Sequence, residues 1–141
     1  MGKKRKRKKR SNVTDLKAIY NRGMQLYLEE ENYVAGLKYL HKAAKAGYKK
    51  AYGEIGIILH REKNEADEAE EWFKKAEKTD SLFPSATYEY GMLIYFKKGD
   101  IESCLNYLFQ SAKQGCELAM RNIQQPGVLD LSSDPEISRS N

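Results

Sequence analysis

The sequence predicts an all-α protein built as a short stack of helix pairs, and three observations carry that expectation. One unit recurs: Ala18, Ala51, Ala86 and Ala119 stand 33, 35 and 33 residues apart. A period of that length marks helical repeats, because a single helix pair cannot bury its apolar face without neighbours. The copies also agree at other offsets, with Gly23, Gly56 and Gly91 five residues after the first three alanines and Tyr39, Trp72 and Tyr107 sixteen residues after those glycines. Finally, apolar residues recur at steps of three and four, the spacing of one helix face, and no stretch alternates as a strand would.

Residues 1–12 hold eight consecutive cations, Lys3, Lys4, Arg5, Lys6, Arg7, Lys8, Lys9 and Arg10. Like charges this close repel and offer nothing to bury, so a disordered arm is expected there. A repeat domain is expected over 13–125, with repeats at about 18–50, 51–85 and 86–118, a closing helix at 119–125, and a disordered tail at 126–141.

The first A helix spans about 14–30, where Leu16, Ile19, Tyr20, Gly23, Met24, Leu26 and Tyr27 share a face. Asn32 can cap the following B helix, whose core stripe is Leu37, Leu40, Ala43 and Ala44, and Gly47 can take the left-handed conformation that ends it. In the second repeat the helices are expected at about 50–61 and 64–78, with Asn64 as cap and Asp67 and Glu68 favourably placed near the helix N-terminus. In the third they are expected at about 84–97 and 100–114. Pro84 suits a first helical turn, and Gly99 with Asp100 marks the turn between the two helices. From Ala119 a short helix runs to about Gln124, and Pro126 with Gly127 ends it.

Of 141 residues, 40% are apolar and 32% charged, which fits one solvated repeat domain with tails. The formal charge is +5, yet eight of the 25 basic residues sit in the arm, leaving 17 against 20 acidic groups. A mildly acidic body therefore carries a basic tail. Cys104 occupies the register of Gly36 and Ala69, so it reads as a small packing residue, and with Cys116 it forms no expected disulfide. Two cysteines and two histidines without paired-ligand spacing give no expectation of a metal site, and no cofactor is expected. No run is apolar and long enough for secretion or a membrane span. The expected location is intracellular, nuclear or nucleolar in a eukaryote and cytoplasmic otherwise.

The B helices show a more specific pattern. The first copy has Gly36, Tyr39, Leu40, Ala43, Ala44 and Gly47, then Ala51; the third has Cys104, Tyr107, Leu108, Ala112 and Gly115, then Ala119. The second keeps Ala69, Trp72, Phe73 and Ala76 but has Glu77 and Asp80 where the first has Ala44 and Gly47. These residues resemble the Sel1-like branch of the tetratricopeptide-repeat superfamily, whose second helix reads Ala-x-x-Trp-Tyr-x-x-Ala-Ala-x-x-Gly. The resemblance covers roughly 14–124. It departs in a shortened turn between the helices, and in Leu26, Leu59 and Ile94 at the usual Tyr position. It implies a short right-handed α-solenoid of three antiparallel helix pairs with a closing helix, whose A helices line a concave surface that binds other proteins, and it implies no catalysis.

On that resemblance, Tyr20, Met24 and Tyr27, then Gly53, Ile57 and His60, then Tyr88, Met92 and Tyr95 face the groove. Aromatic and Met side chains suit a surface for a partner peptide or helix. The competing role for the same residues is packing between helices. Trp72 is expected in the core, since Tyr39 and Tyr107 share its register. Neither His41 nor His60 has an acid or nucleophile at a motif spacing, so no enzyme is expected. The acidic clusters at 29–31 and 65–71 read as solvated helix ends.

The leading expectation is thus a non-enzymatic protein–protein interaction adaptor localised by its arm, with no small-molecule substrate. The alternative is an RNA- or DNA-associated protein held by the arm, with the repeats as a platform. An import receptor, nucleic-acid phosphates and an anionic membrane are all open as partners of the arm, and a solubilising tail without partner is the bland reading.

Overall fold

The computed structural model describes residues 13–124, and the described residues form seven helices and no strand. These are α1 (Val13–Leu28), α2 (Tyr33–Lys45), α3 (Lys50–Arg61), α4 (Ala66–Lys78), α5 (Pro84–Lys98), α6 (Ile101–Lys113) and α7 (Glu117–Gln124). The chain divides into two compact units, one ending at Ser81 and one beginning at Leu82. Within the first, α1 packs on α2, α2 on α3 and α3 on α4; within the second, α5 packs on α6 and α6 on α7. The expected arm and tail lie outside the described residues.

Each A–B pair closes at its repeated glycine. A methyl group on Gly36 would come within 2.9 Å of the Gly23 carbonyl oxygen, so α1 and α2 meet backbone to backbone. In the second pair a methyl on Gly56 would lie 2.7 Å from the Phe73 ring, and in the third one on Gly91 would lie 2.9 Å from Cβ of Tyr107. Cys104, opposite Gly91, is fully buried, and desolvation, then the charge of Asp100, pushes its thiol up to about 11. It packs as the small residue its register predicts, and Cys104 and Cys116 are both buried and unlinked.

The core centres one residue beyond the repeated aromatics. Leu40, Phe73 and Leu108 are fully buried, whereas Tyr39 is exposed and Trp72 and Tyr107 are only half-buried. The core role expected of Trp72 therefore belongs to Phe73. Trp72 instead stands edge-on to His41, with ring centroids 5.3 Å apart, and 6.0 Å from Tyr52. Ala51, Ala86 and Ala119 are fully buried, but Ala18 is exposed because no helix precedes α1 among the described residues.

The turns explain how the second copy tolerates its departures. Gly47, Asp80 and Gly115 end the three B helices with φ of 96°, 55° and 100°. Each is followed by an N–H reaching five residues back, from Tyr48 to Ala43, Ser81 to Ala76 and Cys116 to Ser111, at 2.8 to 3.0 Å. That is the glycine-type helix end, and Asp80 adopts it at a cost of about 1 kcal/mol because a short polar side chain is among the few that enter the left-handed region. The Thr79 hydroxyl, donating to the Lys75 carbonyl at 2.9 Å, ties the same turn.

At the other end of each pair, Glu31, Asn64 and Gly99 take φ of 50°, 54° and 66°. Asn64 is thus the left-handed turn residue and not the cap; Glu65 precedes α4 and makes no side-chain cap bond. Asn32 and Asp100 do cap, accepting from the N–H groups of Ala35 at 3.1 Å and Ser103 at 3.0 Å.

Candidate functional site

The predicted groove residues come mainly from the faces that join successive A helices within each unit. In the first unit the Tyr20 hydroxyl donates to Oε2 of Glu54 at 2.8 Å, bridging α1 to α3. Tyr20 is 6% exposed, with its ring 5.1 Å from that of Tyr48. Desolvation, then the Glu54 charge, raises the Tyr20 phenol; desolvation likewise raises the Glu54 carboxyl above its ordinary value, although the bond from Tyr20 and the charge of Lys50 oppose it. In the second unit Nδ2 of Asn122 donates to the Tyr88 hydroxyl at 2.8 Å, bridging α7 to α5. Both bonds join residues 34 apart, at equivalent places in the repeat.

The other predicted positions divide by exposure. Ile57 is buried, and Met92, 8% exposed, packs with Cys104, Leu108, Cys116 and Ala119. Tyr88 and Tyr95 are half-buried against that same cluster. Met24 and His60 are half-buried. Tyr27 is half-buried too, and its hydroxyl donates to Oε2 of Glu62 at 3.0 Å in an exposed position. Desolvation, then that bond, raises the Tyr27 phenol.

Around Tyr27 the first unit forms a cleft of about 370 Å³, lined by Tyr27, Leu28, Glu31, Tyr33 and Glu62. The elements place these residues for separable reasons. Tyr27 and Leu28 end α1, the left-handed Glu31 reverses the chain, and Tyr33 starts α2 behind the Asn32 cap. Glu62 follows the last residue of α3. Leu28 and neighbouring Val34 are 65% and 67% exposed, large fractions for aliphatic side chains beside one opening. Arg22 meets Glu30 at 3.3 Å and Lys63 meets Glu65 at 3.3 Å, which leaves the rim with an acidic balance. Chemically the cleft offers one exposed aliphatic side chain, two phenol rings and two carboxylates, a set that complements aliphatic and cationic groups together.

Leu28, Tyr33 and Val34 were not among the residues singled out from sequence. Their signal was present in the apolar residues on both sides of the 29–31 acidic run, but only the turn brings them around one opening. Lys3 to Arg10 lie outside the described residues, as does residue 125 of the expected closing helix. His41, with its pKa lowered chiefly by burial, packs against Trp72 as a ring in a side-chain contact. No helix among the described residues is long and apolar enough to cross a membrane. Compared with protein families, curated proteins and solved structures, the chain has no match in any of the three.

Proposed function

We propose that the chain is a non-enzymatic adaptor that binds a peptide or helix of another protein at the Tyr27–Leu28–Tyr33 cleft. The observation that supports this is an exposed aliphatic pair, Leu28 and Val34, beside a cleft with an acidic rim. A matching partner segment presents Leu- or Ile-type side chains flanked by Lys or Arg. Burying both aliphatics fully would contribute about 1.5–3 kcal/mol each before the costs of association. In this reading the three helix pairs follow one another as a right-handed solenoid, as the Sel1-like resemblance implies, and residues 3–10 localise the protein.

The test is selection of binders from a random peptide library displayed against the intact protein, followed by affinity measurement on a Leu28→Asp, Val34→Asp variant. Enrichment of basic-aliphatic peptides whose affinity drops at least tenfold on the variant is expected. Peptides of unrelated composition, or ones that bind the variant equally well, would remove the cleft from the account.

A further inference from the structure

The first unit carries six exposed lysines at the end opposite the cleft. There α2 and α4 finish and α3 begins, and the exposed side chains include Lys42, Lys45, Lys49, Lys50, Lys75 and Lys78. Cations in the last turn of a helix are favoured by the peptide dipoles, which accounts for Lys42, Lys45, Lys75 and Lys78. The same physics disfavours Lys49 and Lys50, which open α3 where an anion would be stabilised. Lys50 is accounted for by the Glu54 carboxylate one turn on, whose charged form it favours, whereas helix stability does not explain Lys49.

Two of these cations are seated on aromatic rings. Nζ of Lys75 lies 4.8 Å from the centroid of Tyr52 and 5.4 Å from that of Trp72, and Nζ of Lys50 lies 5.5 Å from that of Tyr20. An open cleft of about 660 Å³ runs along α4, lined by Glu71, Trp72, Lys74, Lys75 and Lys78. Glu70 stands 3.8 Å from Lys74, and with Glu71, Glu77 and Asp80 the acidic residues near the end of α4 balance its own lysines, so the excess of positive charge at this end comes from Lys42, Lys45, Lys49 and Lys50. Because α1 runs antiparallel to α2, it also begins at this end, directly after the eight cations of residues 3–10.

We propose that this end of the first unit is a contact surface for single-stranded nucleic acid, extending the charge of residues 3–10 onto folded helices. Lysines take the phosphates, and half-buried Trp72, set among them, supplies a ring for a base, the combination that single strands use. Among the described residues, the unit's exposed large aliphatics, Leu28 and Val34, belong to the opposite end. The inference stands apart from the cleft and its partner peptide.

The experiment measures fluorescence anisotropy of a labelled oligo(dT) of about 30 nucleotides with the full-length chain across a salt series. Lys45→Gln, Lys49→Gln, Lys50→Gln and Lys78→Gln together, with residues 3–10 intact, should weaken binding at least tenfold and lower the log–log salt slope by roughly 0.7 per lysine. Trp72→Leu should weaken binding with the slope unchanged. Wild-type affinity and slope in the fourfold variant would overturn the proposal, since residues 3–10 alone would then bind. Equal competition by poly-glutamate of matched charge would overturn it in favour of an acidic protein partner. If the fourfold variant loses helix by circular dichroism, Lys49→Gln alone decides through its salt slope, because removing a cation from a helix N-terminus favours the helix.

Discussion

The two units share one plan and differ in what they leave on their surfaces. Both join an A helix to the next through a tyrosine 34 residues from its partner, but the first uses a carboxylate, Glu54, and the second a neutral amide, Asn122. The first unit has an excess of carboxylates beside the cleft and of lysines at the far end. The second mixes both signs in its first turn, at Lys97, Lys98, Asp100 and Glu102, and exposes large aromatic residues, with Phe96 68% and Phe109 51% exposed. Positions that recur at the sequence period pack the helices in both, so the units differ in what the remaining positions expose.

The largest test of the shared plan is the core. Phe73→Ala should cost about 3–5 kcal/mol and Leu108→Ala about 2–5 kcal/mol, and hydrogen exchange should show the loss first in the unit that holds the substitution. Equal loss of protection across both units after either change would mean that they unfold as one body.

The bridging bonds come next. Tyr20→Phe leaves a half-buried carboxylate without its phenol and should cost about 2 kcal/mol, whereas Tyr88→Phe should cost about 1 kcal/mol because its partner is neutral. Urea denaturation of the two variants checks the order, and the reverse order would remove the charged-versus-neutral distinction.

The same distinction gives a pH dependence. Glu54 has its folded pKa raised above 4.5, chiefly by desolvation, so the folded chain holds this proton more tightly than the unfolded one. Its contribution is fully present below the unfolded value and is lost as pH rises through the folded value. Asp100 has the opposite sign: its pKa is lowered below 3.8 by the Ser103 backbone and side-chain bonds, so its contribution is lost only as pH falls through that lower value. As pH rises above 4.5, Glu54→Gln should therefore flatten the fall in Tm, while Asn122→Asp should introduce a new dependence into the second unit. A wild-type slope in Glu54→Gln would show that Glu54 is not its source.

The smallest effect lies in the turns. Asp80→Gly should stabilise by about 0.5 kcal/mol, as relief of the left-handed strain exceeds the added freedom of the unfolded chain, and Gly47→Ala should destabilise by about 1 kcal/mol. A thermal melt that ranks them the other way would mean that the Asp80 side chain contributes more than its backbone costs.

Most of the scaffold was legible in the sequence because it depends on local signals repeated at a fixed period. The helix spans, the Asn32 cap, the Pro84 start and the Gly47 end all follow from residues within one or two turns of the feature. Asn64 was misplaced by one role because capping and left-handed turns favour the same residue type. Trp72 was placed too deep because register alone does not say which of two adjacent large residues points inward. The bridges from Tyr20 and Tyr88 were invisible locally, since each needs two helices from different repeats brought alongside. A Tyr two residues after one repeat Ala and a polar residue three after the next would have found both.

The central claim is that the first unit carries two chemically opposite surfaces, one for a basic-aliphatic protein segment and one for single-stranded nucleic acid. Titration of the ¹⁵N-labelled full-length chain, first with a selected peptide and then with oligo(dT), followed by amide chemical shifts, tests it most directly. The account predicts that the peptide perturbs residues around Tyr27, Leu28, Tyr33 and Glu62, and that the oligonucleotide adds shifts around Lys45, Lys49, Lys50 and Lys78 without displacing it. Shifts concentrated in residues 82–124, or competition of the two ligands for one set of amides, would contradict it.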